Sequence, residues 1–219
     1  MPIPIVFRGP NGAALQLAAQ HSQAWESWLS HIPGLKVVAP ATPADAKGLL
    51  KSAIRDNSPV IVLEGEMLYN IKGEVPEGEH IVPIGRAEVK RPGNDVTLIC
   101  HSKTVTVALK AAEQLAEHEG ASAEVLDLRS LRPLDEATIL ESVSRTNRAV
   151  VVEEGWPQCG IGAHVVDVIQ REAFDRLDAP VLRVTQADVP MPYNKQLERL
   201  AKPSPERVVA AARRVLYLD

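Results

Sequence analysis

A chain of 219 residues, 45% hydrophobic and 24% charged, can bury one large core or two modest ones, and its composition suits a soluble α/β protein of two domains. The net charge of −4 and the lack of any Lys/Arg block exclude a nucleic-acid footprint, and no apolar stretch reaches membrane-spanning length. Met1-Pro2 leads into a strand without a charged leader and apolar signal core, so the expected location is cytoplasmic.

In chain order, Ile3 to Phe7 is short and β-branched, bounded by Pro2 and by the Gly9-Pro10 breaker, and reads as a buried strand. The glycine-rich loop RGPNGAALQLAAQHSQ follows, and Ser22 is expected to cap a helix carrying Ala24, Trp25, Trp28 and Leu29. Pro33-Gly34 stops that helix before a strand at Leu35 to Ala39. Thr42-Pro43 with Asp45 opens a helix to about Arg55, since proline suits a first helical position and an acid there favours the dipole. A strand at Val60 to Leu63 completes a parallel βαβ alternation.

Between Glu64 and Pro83 the pattern gives way to glycine, proline and acidic residues, too long for an ordinary turn. Three segments follow: residues 1–70, a linker at 71–84, and a second domain at 85–219. That second unit reads as strands at Ala87 to Lys90 and Val96 to Cys100, a helix from Thr104 to His118 stopped at Gly120, and a strand at Ala123 to Asp127. A helix at Pro133 to Arg145, a strand at Ala149 to Glu153, a helix at Ile161 to Ala173 and a strand at Val181 to Thr185 come next. Two helices near Lys195 and Pro205 close the chain. The Pro92-Gly93 turn suggests an antiparallel edge strand on an otherwise parallel sheet.

Several residues invite chemistry. His21 stands where a loop beyond a strand enters a helix, and imidazole suits proton transfer near neutral pH. His101, with Ser102, reads as a helix cap, and the remaining histidines as surface or packing residues. The loop AIRDNSP ends a helix with a carboxylate and free carbonyls, an oxygen set that could hold a hard cation or simply stop the helix. Gly160-Ile161-Gly162 lacks the third glycine and the following acid of a dinucleotide loop, and reads as small residues letting a helix start close to the sheet. Glu153 and Glu154 are adjacent, so if they lie on a strand they point to opposite faces and cannot act as one acid/base pair. Asp188 to Tyr193, with two prolines, is an extended connector. Cys100 and Cys159 form no metal or redox pair and read as buried spectators.

The runs PIVFRGPNGAA with AQHSQ, PGLKVVAP, DAKGLLKSAIRDNSPVIVLE, LRPLDEATI, VVVEEGWPQCGIGA and ADVPMPY resemble, in order, the β subunits of pyruvate dehydrogenase. These belong to the decarboxylating first component of the 2-oxo acid dehydrogenase complexes. The resemblance implies a truncated pyrimidine-type thiamine-enzyme domain followed by a three-layer α/β/α domain like the transketolase carboxyl-terminal domain. It implies thiamine diphosphate and magnesium between α and β subunits, a second β subunit, and the subunit-binding domain of dihydrolipoyl acetyltransferase as partners. It assigns His21 to the active-site channel, a structural potassium to Ile5, Ala53, Ile54 and Asp56, and acetyltransferase docking to Asp178 and Asp219. The family often has Asn where Ser58 stands. The DVPMPY loop is expected near the subunit interface and resembles the pyruvate-type form. The family's activating glutamate lies in a front segment that this sequence begins after, so no cofactor-binding residue is assigned and the polypeptide alone is expected to be inactive. Alternatives are a non-catalytic docking module, or the β subunit of an acetoin or branched-chain dehydrogenase.

Overall fold

The computed structural model describes residues 1–218 and arranges them as two sheets flanked by helices. In the first, β1 (Val6–Asn11) and β2 (Lys36–Val38) lie parallel on either side of β3 (Val60–Gly65). The connections carry α1 (Glu26–Ser30) and α2 (Pro43–Arg55). α2 starts as its sequence directs: the Thr42 hydroxyl accepts the Asp45 N–H at 3.1 Å, with Pro43 in the first turn. Its buried Leu49 and Ala53 pack on Val60 and Val62 of β3.

β1 departs from the reading of a buried strand at Ile3 to Phe7. It lies at the open edge of its sheet, and Ile3, Ile5 and Phe7 are 40%, 47% and 58% exposed. Gly9-Pro10 falls inside the strand, because an edge strand is bonded on one side only and tolerates a residue without an N–H.

The second sheet has the order β4-β6-β5-β8-β9, from β4 (Glu88–Arg91), β5 (Val96–Cys100), β6 (Ala123–Asp127), β8 (Ala149–Val152) and β9 (Leu182–Val184). β5, β6, β8 and β9 are parallel, and β4 is the antiparallel edge. The turn before β5 does not make β4 its neighbour, since Asn94 and Asp95 donate to the Ser122 carbonyl and the turn crosses the start of β6. On one face α3 (Thr104–Glu119) and α7 (Pro205–Leu216) cover Leu98, Cys100, Val150 and Val152. On the other, α4 (Glu136–Thr146) and α5 (Ile161–Ala173) cover Ile99, Leu126, Ala149 and Val151. Strand alternation therefore feeds two cores, each fully buried Leu or Ile contributing about 1.5–3 kcal/mol.

A short strand unforeseen in the sequence, β7 (Ser130–Arg132), pairs antiparallel with β2 and so crosses from the second unit into the first sheet. The core under α4 and α5 follows it, running on into Val37, Ala39, Ile61 and Leu63. α4 is shorter than expected at its start: Asp135, not Pro133, begins it, accepting the Thr138 N–H at 3.3 Å. A last helix, α6 (Lys195–Ala201), precedes α7.

Candidate active site

The loop between β1 and α1 carries His21, which is exposed. Ser22 does not cap the helix as expected. α1 begins at Glu26 with Trp25 at the capping position, and the buried Ser22 hydroxyl has no hydrogen-bond partner among the described residues. α1 has no side-chain cap, and Asn11, at the end of β1, holds the entry to it: its Oδ1 accepts the Trp25 N–H at 2.7 Å and its Nδ2 donates to Glu26 at 2.8 Å. The loop is closed at its neck by Gly12 N–H to the Gln23 carbonyl, 2.8 Å. Asn11 and Gly12 thus fix both ends of the segment that presents His21.

Beneath it, at the carboxyl end of β5, lies a residue the sequence reading misplaced. His101 is no cap but a buried side chain whose Nε2 is 3.7 Å from Glu26 Oε1, itself 1% exposed. Burial alone would raise the Glu26 carboxyl, but the His101 imidazole and the Asn11 amide outweigh it and hold Glu26 below the usual carboxylate range. Burial would lower His101, and Glu26 outweighs that and raises it. The pair ties α1 to the second sheet, and no local pattern marks it because its members belong to different units.

Glu153 and Glu154 follow the end of β8 rather than lying on it, and their carboxylates take different partners. Glu154 turns toward Lys103, whose Nζ lies 2.6 Å away. Glu153 accepts the Gly162 N–H at 2.9 Å and pairs with Arg183 at 2.5 Å. A Cβ at Gly160 or Gly162 would collide with the Glu153 carboxylate. The two glycines therefore make room for the protein's own carboxylate at the amino end of α5, where a dinucleotide loop would hold a phosphate. The Asp188 to Tyr193 connector packs on the His21 loop: Met191 is 3% exposed and clusters with Ala13 and Ala201. Cys100 is a buried free thiol, whereas Cys159 is exposed, contrary to the reading of both as buried.

The structure brings Ile5 to the turn that ends α2. The Ile5 carbonyl accepts the Val60 N–H at 2.9 Å, and Ile3 donates to the Asn57 carbonyl at 2.8 Å. The Ala53 carbonyl accepts the Asp56 N–H at 3.3 Å. Both carboxylate oxygens of Asp56 are engaged, one by Lys36 Nζ at 2.5 Å and the other by the Ser58 N–H at 2.8 Å. Ile54 is exposed. Among the described residues no cluster of three His, Cys, Asp or Glu side chains could hold a metal.

Asp178 stands before β9. Its N–H bonds the Asn147 carbonyl at 2.9 Å, its carboxylate is 53% exposed and lies 3.1 Å from Arg148, and its carbonyl accepts the Tyr217 hydroxyl at 2.9 Å. Asp178 therefore adjoins the last turn of the chain. Asp219 lies outside the described residues.

Residues 1–72 match the family described as transketolase, pyrimidine binding domain, and residues 85–208 match transketolase, C-terminal domain. The pyruvate dehydrogenase E1 component subunit beta-1, mitochondrial, of Arabidopsis thaliana is 54% identical over 219 residues, covering 98% of this chain and 60% of that protein. The corresponding mitochondrial subunit of Caenorhabditis elegans is 52% identical over 223 residues, covering 100% of this chain and 63% of that protein. The subunit of Rhizobium meliloti is 52% identical over 218 residues, covering 99% and 47%. The chain thus spans between 47% and 63% of the length of these relatives. A solved split-gene transketolase, described as an inactive beta4 tetramer, superposes with a TM-score of 0.81 at 28% identity, over 99% of this chain and 68% of that one. A transketolase mutant from Pichia stipitis shares the fold at a TM-score of 0.68 and 15% identity, over 99% of this chain and 31% of that one. The expectation of a cytoplasmic location is overturned, because the Arabidopsis and Caenorhabditis relatives are mitochondrial.

Proposed function

This chain belongs to the transketolase family, and we propose that it forms the carboxyl-terminal part of the β subunit of a pyruvate dehydrogenase first component. The whole enzyme would decarboxylate pyruvate and pass acetyl to lipoamide of the acetyltransferase, working with an α subunit and a second β subunit. The observation that carries this reading is the similarity to pyruvate dehydrogenase E1 β subunits, 52% to 54% identical across nearly every residue. We divide the chain into the back of a pyrimidine-type domain at 1–70, a linker at 71–84 and a carboxyl-terminal domain at 85–219.

Thiamine diphosphate with magnesium, held between α and β subunits, would supply the electron sink for decarboxylation. No residue of this chain is assigned to hold it. His21, on an exposed loop at the carboxyl end of β1, would hold or deliver a proton during acetyl transfer. The test is His21→Ala in the assembled enzyme. A positioned acid/base group is worth about a hundredfold to ten-thousandfold in rate. Turnover within about twofold of the wild type, with the assembly intact, would return His21 to a structural role.

Potassium is compatible with the turn at Asp56. The carbonyls of Ile5 and Ala53 each accept one N–H and keep a second lone pair, while the Asp56 carboxylate is engaged by Lys36 and Ser58. The ion would then rest on the carbonyl oxygens of Ile5, Ala53 and Ile54, with Asp56 closing the turn. It would brace the edge strand against α2. A thermal shift with potassium that sodium does not reproduce tests it. Asp178 and Asp219 would receive basic residues of the acetyltransferase's subunit-binding domain, a reading supported by the exposure of Asp178 beside the last turn of the chain.

A further inference from the structure

The His21 loop is gripped from the other unit. Lys103, at the start of α3, extends its stem across the carboxyl ends of β1 and β3, where Gly65 leaves it room. Its Nζ reaches the Ala13 carbonyl at 2.5 Å and Glu154 Oε1 at 2.8 Å. Glu154 Oε1 also accepts the Ala13 N–H at 2.7 Å, so both backbone polar groups of Ala13 are held by one buried ion pair. Gly12, at φ +75°, sits against the same pair, and a Cβ there would lie 2.8 Å from both Glu154 Oε1 and Lys103 Nζ. Further along, Gln16 donates its N–H to Glu198 Oε2 at 2.6 Å, and Lys202 holds the other oxygen of Glu198 at 2.7 Å. Gln16 and Ala18 have φ of 58° and 59°, left-handed conformations that residues with a Cβ keep only where their surroundings fix them.

We propose that Lys103, Glu154 and Glu198 are positioning residues that hold the His21 loop in its working shape, making the second unit part of the catalytic apparatus through a clamp on backbone atoms. The inference rests on the assignment of His21 above for its catalytic consequence, but not for the clamp. The clamp also explains why these acids occupy the carboxyl ends of parallel strands and a short helix beside them: each accepts a backbone N–H that the strained loop would otherwise leave unpaired.

Hydrogen exchange on the 219-residue chain tests the clamp without any activity. In Glu198→Ala, amides of residues 13–24 should exchange about tenfold faster, the effect of losing one charged hydrogen bond, while β5 and α3 keep wild-type protection. Lys103→Met should act on the same peptides, and Glu198→Gln, which keeps an acceptor oxygen, should restore most of the protection. In the assembled enzyme, Glu198→Ala should lower kcat with KM for pyruvate unchanged, and Glu198→Gln should recover it. Unchanged exchange at 13–24 in both folded variants would overturn the clamp. Faster exchange with undiminished kcat, in an enzyme that His21→Ala slows, would overturn the positioning role, and with His21→Ala equally harmless it would overturn the catalytic assignment of His21.

Discussion

His101 and Glu26 form a buried pair 3.7 Å apart between the end of β5 and the first turn of α1, each shifted toward its charged form by the other. His101 is raised above its ordinary 6.5, so its contribution to stability is full below 6.5 and is lost as pH rises through the higher folded value. Glu26 is lowered below its ordinary 4.5, so its contribution is full above 4.5 and is lost as pH falls through the lower folded value. Wild-type stability should therefore gain from the pair most in mildly acidic solution. Replacing both, Glu26→Gln with His101→Gln, should remove that curvature, and thermal melts of the two proteins running parallel across pH would refute it.

Asp127 offers a second titration of opposite benefit. Burial pushes its carboxyl up to about 7, against the pull of Lys90 3.9 Å away, and Oδ2 has no hydrogen-bond partner among the described residues. A raised folded value means that stability is lost as pH rises from the ordinary 3.8 through about 7. Asp127→Asn should therefore be more stable than the wild type at pH 8, by up to about 4 kcal/mol for a shift of this size, the two converging near pH 4. A variant equally destabilised at both pH values would show that the ionised carboxylate is needed.

Docking should depend on Asp178. Its carboxylate is half exposed and shared with Arg148, so a basic partner competes with an internal one. Charge pairs across interfaces couple by roughly 1.5–7 kcal/mol and are screened by salt. Asp178→Ala should weaken binding of the isolated subunit-binding domain by about tenfold or more and flatten its salt dependence. Equal affinities at low and moderate salt would exclude the site.

The polypeptide on its own should self-associate. Among the described residues β1 leaves one edge unpaired, with Phe7 exposed on it and Ile3 and Ile5 exposed just before it, and such edges invite pairing. Light scattering should find dimers or larger species, reduced by Phe7→Lys. A clean monomer at high concentration would count against it.

What the sequence made legible follows from range. α3 could be bounded closely because its apolar period is long and Gly120, in the left-handed conformation, ends it. α2 declared itself by Thr42 and Pro43. β7 did not, since Ser130–Arg132 is three residues with a single apolar side chain and takes its place from β2. Ser22 met every local requirement of a cap, yet α1 starts without a side-chain cap, and Asn11, from the end of a strand, holds the Trp25 N–H at its entry. Glu26, Lys103 and Glu198 look in sequence like the solvent face of a helix. Only the packing of one unit on the other brings them against the His21 loop. The one usable signal was Glu153-Glu154 at the carboxyl end of a parallel strand, where open α/β sheets hold their polar sites.

Acetyl transfer from pyruvate to lipoamide in a reconstituted assembly is the most direct measurement. The components are this chain, an α subunit, and a polypeptide bearing the front part of the Rhizobium meliloti β subunit. Turnover dependent on thiamine diphosphate and magnesium should appear only with all three, and this chain alone should neither turn over pyruvate nor bind the cofactor tightly. An assembly that forms but leaves pyruvate untouched, or that prefers a branched-chain 2-oxo acid, would contradict the reading of this chain as part of a pyruvate dehydrogenase.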